Sequence, residues 1–366
     1  MDLYNRKLLD DFSKAIEPTI ESNCSNVSTY PTVDQQLRVF GSYSVLVYVS
    51  SATLTALTLA MFLYLTFRIT RFAPSRRRTM ILWVTATPIV LSFLSFVGML
   101  LPKANYTCKH IKSLYMPWVL MHLVDLTLDY HGGIQNLLPR LESDGATLAL
   151  EQIPCCCAAL IWGKVLYNKH TMRVARALVY QFPLIQFVFV FLGMILEELG
   201  YYKSGYVGFD NSYIYLTTLK TISFFIAEWG VNLFVAMSAS RLAHIKYGMK
   251  IHLVQLFILF VKAQTTTMQI LGDNGVIPCV LPYLSVNAFE SFLENGLLIV
   301  ECCLISIPIV IEYQLRRGSL DRKDVLKEME ARMSPATTTS DISSHAGVTR
   351  SVSSDVELCK EFVEFL

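Results

Sequence analysis

Apolar residues fall along this chain in long uninterrupted stretches separated by short polar segments, and each stretch is long enough to cross a bilayer. A hydrocarbon core of roughly 30 Å needs about 20 apolar residues in a helix. Tyr43–Phe67 and Thr79–Leu101 meet that length without a charged side chain. Further spans are predicted at about Tyr115–Leu138, Ala177–Leu196, Ser212–Met237, Ile251–Leu271 and Phe289–Ile311. The pattern predicts an all-α membrane protein of about seven transmembrane helices over residues 43–313. No internal repeat is visible.

The basic residues between the stretches orient them. Arg68, Arg71, Arg76, Arg77 and Arg78 follow the first stretch, whereas Arg38 stands almost alone before it. Cytosolic loops hold the excess of Lys and Arg, so the N-terminus is expected outside and the C-terminus in the cytosol. Arg140, Lys164, Lys169, Arg173 and Arg176, then Arg241, Lys246 and Lys250, then Arg316 and Arg317 fall inside on this reading; Lys103, Lys109, Lys112 and Lys203 fall outside. Glycosylation sequons at Asn23, Asn26 and Asn105 all land outside.

Residues 1–42 are polar and lack the features of a cleaved leader, so they read as an extracellular glycosylated segment. The apolar segment 146–162 carries Glu151, Gln152 and Pro154, and counting it as a span would reverse the basic bias beyond it. It is expected to lie on or dip into the cytosolic leaflet, within a Cys-rich loop at 140–172. Residues 314–366 form a cytosolic tail, rich in Ser and Thr over 334–355 and largely disordered.

Composition adds little beyond this pattern: 53% hydrophobic and 16% charged residues with a mean hydropathy of +0.43 are unlike a soluble domain. The net charge of +2 points to no nucleic-acid partner.

Ionisable groups inside the stretches carry more information, because a charge at bilayer depth costs at least about 2.5–3.5 kcal/mol and faces protein or a pathway. His122, Asp125 and Asp129 form a stripe in the third span. Gln255, Lys262, Thr266 and Gln269 form one in the sixth, and Glu290, Glu294 and Glu301 one in the seventh; Lys220, Glu228 and Asn232 belong to the fifth. Aligning antiparallel spans puts Asp125, Asp129, Lys262 and Glu301 near the midplane, with Glu228 and Lys220 on either side. This layer reads either as structural pairs, Lys262 with Glu301 or an Asp, or as a substrate pathway through Asp125, Asp129, Lys220, Glu228, Lys262, Gln269, Glu294 and Glu301. Acidic groups outnumber basic ones, which argues for protonated carboxylates or a bound cation and against a simple anion-selective cavity.

Cys155, Cys156 and Cys157 stand together beside the cytosolic surface without the spacing or histidines of a zinc site, and thioester acylation is the chemistry that suits them. Cys24, Cys108 and Cys279 offer one outer disulfide whose pairing is open. No nucleotide-binding, metalloprotease or hydrolase motif is present, so neither an enzyme, a cofactor nor a metal centre is expected.

On Cys155-Cys156-Cys157, on Lys262 with Gln269, and on Glu301 within Leu298-Ile299-Val300-Glu301-Cys302-Cys303, the chain resembles the organic solute transporter alpha-subunit family over most of Val39–Leu315. The resemblance implies facilitated transport of amphipathic organic solutes, sterol-derived or bile-acid-like, by a multi-pass cell-membrane protein. It also implies a single-span beta subunit as partner and acylation of the cysteine run. Homo-oligomers and membrane lipid are further expected partners. The alternative is a seven-helix receptor or a trafficking or signalling protein, although Pro139-Arg140-Leu141 stands where a receptor carries D-R-Y and no N-P-x-x-Y occurs in the last span.

Overall fold

The computed structural model describes residues 31–41, 43–73, 75–143, 165–202, 211–238, 247–273 and 285–315, with positions 145, 147, 148, 152, 209, 242 and 275–277 between them. A short helix α1 (Val33–Phe40) opens this region on a reciprocal cap between Thr32 and Gln35. The long helices follow: α2 (Tyr43–Phe72), α3 (Ser75–Thr85), α4 (Thr87–Leu100) and α5 (Asn105–Tyr130). After the short α6 (Ile134–Ser143) come α7 (Lys169–Glu198), α8 (Ser212–Ser238), α9 (Tyr247–Asp273) and α10 (Val286–Leu315). A two-residue antiparallel ladder, Thr147 opposite Leu166 and Leu148 opposite Val165, closes the base of the Cys-rich loop. Cys155, Cys156 and Cys157 lie outside the described residues, as do Asn23, Asn26 and the tail beyond Leu315.

Five helices, α2, α7, α8, α9 and α10, are long and apolar enough to cross a membrane, and the bent pair α3–α4 makes six. The pair turns by 41° between them. Pro88 is the cause: it has no N–H to give the Val84 carbonyl, and the Thr87 hydroxyl donates to that carbonyl at 2.8 Å instead.

The third predicted span is displaced. Instead of Tyr115–Leu138, the helix α5 begins at Asn105 and stops at Tyr130. It stops because Gly132 and Gly133 take φ of +77° and +92°, and their N–H groups turn back onto the carbonyls of Asp129 and Leu128. Leu137, Leu138 and Leu141 belong to the separate amphipathic α6, which buries them. At 26 residues, about 39 Å, α5 is long enough to span, but it carries Lys109, Lys112, Asp125 and Asp129.

The packing explains why α5 tolerates those charges. It is the central helix, flanked by α3, α4, α7, α8 and α9, while α10 closes the far side against α4, α2 and α9. Val119, Leu120 and Val124 of α5, Val179 and Phe182 of α7, Ala227 and Phe234 of α8, Ile251 and Ile258 of α9 and Cys302 of α10 form one core. Burial by other helices gives the α5 side chains protein partners that lipid does not supply.

Candidate functional site

The charged residues of α5 sit toward its two ends, Lys109 and Lys112 near its start and Asp125 and Asp129 near its finish, while Lys262 and Glu301 stand near the middle of α9 and α10. At the end where α5 finishes, its two aspartates are held in place by arginines. Arg77 Nε donates to Asp129 Oδ2 at 2.9 Å while its guanidinium sits 4.2 Å over the Tyr130 ring. Arg176 Nη2 reaches Asp125 Oδ1 at 3.3 Å, and the Tyr180 hydroxyl donates to the same oxygen. Nearby, His122 stacks on Trp83 at 5.5 Å. The expected midplane position of Asp125 and Asp129 is therefore corrected: both lie in the last turns of α5, because the helix ends eight residues earlier than the hydropathy suggested.

Two further carboxylates are occupied by amides. Gln255 Nε2 donates to Glu228 Oε2 at 2.9 Å and to Asn232 Oδ1 at 3.0 Å, joining α8 to α9. The Gln264 amide, turned so that its nitrogen faces the carboxylate, donates to both oxygens of Glu301 at 3.0 and 2.6 Å. Lys262 makes no ion pair with Glu301 or with any other described residue within 4 Å.

At the opposite end, around the start of α5, a cavity of about 590 Å³ opens between α5, α7, α8, α9 and α10. Among the described residues, Lys109 and Lys112 of α5, Lys220 of α8 and Lys262 of α9 line it, against the single carboxylate of Glu294 from α10. Its walls are otherwise apolar and hydroxylated, including Phe182, Phe224, Leu259, Thr217 and Thr266. Among the described residues the lining therefore has four basic side chains to one acidic. This reverses the expected acidic excess and removes the objection to an anion in the cavity.

The lysines fall into two kinds. Lys112, 8% exposed, donates to Asn295 Oδ1 at 2.8 Å and to Ser95 Oγ at 3.2 Å, and Asn295 in turn donates to Asn105 Oδ1 at 2.8 Å. Lys109 Nζ stands 3.2 Å from Glu294 Oε2, whose other oxygen accepts from Thr265 Oγ1 at 2.8 Å. Lys220 and Lys262 have no such partner among the described residues, and they act on each other as like charges. The Glu294 charge reaches Lys112 and Lys262 as well as Lys109.

The rim is polar. Tyr213 donates to Gln269 Oε1 at 2.7 Å, Tyr106 donates to Glu197, and Gln186 donates to Ser113. Burial, reinforced by Tyr213 and Glu197, pushes the phenol of Tyr202 just beyond α7 well above its usual range, so it stays a neutral hydrogen-bonding group.

Of the pathway residues expected from sequence, the cavity gathers Lys220, Lys262, Gln269 and Glu294 and leaves out Asp125, Asp129, Glu228 and Glu301. It adds Lys109 and Lys112, which sequence reading assigned to an outer loop. Their i, i+3 spacing with Ser113 and Met116 on the same face was the available helical signal.

The family model described as "Organic solute transporter Ostalpha" matches residues 47–317. An organic solute transporter subunit alpha of Danio rerio is 25% identical over 302 residues, covering 82% of this chain and 90% of that protein. Those of Leucoraja erinaceus and Homo sapiens are each 23% identical, over 74% and 78% of this chain and 76% and 83% of their own lengths. No solved structure matches the chain.

Proposed function

The chain belongs to the organic solute transporter alpha family, and from that premise we propose that it carries amphipathic organic anions, sterol-derived or bile-acid-like, through the lysine-lined cavity. The observation that carries this reading is the composition of the cavity wall. Four lysines against one carboxylate favour a negative head group, and Phe182, Phe224 and Leu259 suit an apolar body. Lys220 and Lys262, which form no ion pair among the described residues, are the proposed head-group seat. A mutually repelling pair of ammonium groups gains most from an anion placed between them.

Seven spans are proposed, with α3–α4 as one bent span and α5 as the charged central one. An odd number puts the two termini on opposite faces, and the arginines after the first span favour the N-terminal segment outside and the tail in the cytosol. The cavity then opens toward the outer face. The cell membrane is the proposed location, acylation of Cys155, Cys156 and Cys157 the proposed modification, and a separate single-span beta subunit the proposed partner. No catalytic step is assigned.

Flux tests the reading directly. Vesicles containing the protein with a candidate single-span partner should release a sterol sulfate faster than vesicles containing either component alone, and should leave a hydrophilic sugar trapped. Equal release of sterol sulfate from protein-free vesicles would refute transport. Ligand-evoked G-protein activation without flux would favour the receptor alternative.

A further inference from the structure

Among the described residues, Glu294 supplies the one carboxylate of the cavity. Glu294 is 5% exposed, accepts from Thr265 Oγ1 at 2.8 Å on Oε1 and pairs with Lys109, whose Nζ stands 3.2 Å from Oε2, and its charge acts on Lys112 and Lys262. The neighbouring Asn295 binds Lys112, so one turn of α10 supplies partners to both α5 lysines. Four buried or half-buried ammonium groups facing apolar walls would repel one another without an anion among them.

We propose that Glu294 is a resident counter-ion, holding the cavity lysines between transport events and competing with the head group of an anionic solute for them. This rests on the cavity being the solute site. When a sulfate, sulfonate or carboxylate enters, Lys109 passes from Glu294 Oε2 to the solute while Thr265 keeps Oε1. The competition lowers affinity and speeds release, which a carrier needs as much as binding. Glu294 is thus a specificity-determining residue whose removal strengthens binding of anions and leaves uncharged solutes unaffected.

The test is equilibrium binding of a radiolabelled sterol sulfate and of its uncharged parent sterol to the purified full-length protein, with efflux from vesicles measured alongside. A unit charge removed from about 10 Å at an effective dielectric of about 20 changes affinity about tenfold. Glu294→Gln should bind the sulfate about tenfold more tightly, bind the parent sterol as before, and release the sulfate more slowly. Unchanged or weaker sulfate affinity would overturn the proposal. If that variant does not fold, Glu294→Met removes the same charge with a side chain of similar length and leaves all four lysines in place. It should bind the sulfate more tightly than the parent protein, and equal or weaker binding overturns the proposal. A wild-type protein that binds no sterol sulfate refutes the cavity as solute site. Wild-type binding without the gain in these variants refutes the counter-ion alone.

Discussion

Arg77 Nε donates to Asp129 Oδ2 at 2.9 Å, joining the first turn of α3 to the last turn of α5 across 52 positions of sequence. The Arg77 side chain is 7% exposed, and Tyr130 covers its guanidinium. Removing one partner of such a pair strands the other and costs about 3–5 kcal/mol. Asp129→Asn and Arg77→Met are each expected to lower the melting temperature of the purified protein and its yield in the membrane. The exchanged pair, Arg77→Asp with Asp129→Arg, is expected to recover part of both. Wild-type stability in either single variant would show that the contact does not hold α3 to α5.

Helix α8 packs closely on α7 at Gly230. A Cβ there would stand 2.7 Å from Val179 Cγ2 and 3.2 Å from Leu178 Cβ. Small residues at such crossings let helices in lipid gain van der Waals contact that the hydrophobic effect does not provide between spans. Gly230→Ala is expected to destabilise by about 1–3 kcal/mol and Gly230→Leu by more. Thermal denaturation of detergent-purified protein checks the order; equal melting temperatures in all three would contradict the packing.

Asn105 begins a sequon, yet its side chain is spent inside the bundle. Its Oδ1 accepts from Asn295 at 2.8 Å and lies 2.6 Å from where a Cβ on Gly98 would stand. A glycan would sit on Nδ2 of the same amide, and the packing of this side chain against Asn295 and Gly98 argues against one here. The glycosidase-sensitive mobility shift is therefore expected to disappear on replacing Asn23 and Asn26 and to remain on Asn105→Gln. A smaller shift in the Asn105→Gln protein would contradict the placement of this side chain.

Charge coupling separates two candidate pairs. Lys109 and Glu294 form an ion pair, whereas Glu301 is taken by the Gln264 amide and Lys262 faces the cavity. A double-mutant cycle on stability is expected to give about 1–3 kcal/mol for Lys109 with Glu294 and near zero for Lys262 with Glu301. Strong coupling between Lys262 and Glu301, or rescue by exchanging them, would restore the pairing that their matched depth suggested.

Much of this architecture was readable from hydropathy, and the exceptions share a cause. The stretches that became α2, α7, α8, α9 and α10 are apolar on faces that meet lipid as well as protein, so their composition declares them. Helix α5 is surrounded by protein, and it therefore carries Lys109 and Lys112 near one end and Asp125 and Asp129 near the other, which broke the apolar run and shifted its apparent bounds. That shift misassigned two cavity lysines to a loop and two paired aspartates to the midplane. Periodicity identified the stripe of Lys262 and Gln269 and that of Glu294, but it does not report which carboxylate meets which cation. Glu228 and Glu301 were indistinguishable from Glu294 until Gln255 and Gln264 were seen to hold them.

The central claim, that the lysine-lined cavity selects solutes by charge, is tested most directly by the ratio of sterol sulfate flux to parent sterol flux in vesicles carrying Lys220→Met with Lys262→Met. Removing two cations from about 7 Å at an effective dielectric of about 20 is worth several kcal/mol to an anion and nothing to a neutral solute. The account requires the ratio to fall at least about tenfold, with sterol flux and surface abundance unchanged. A wild-type ratio in a folded double variant would contradict it.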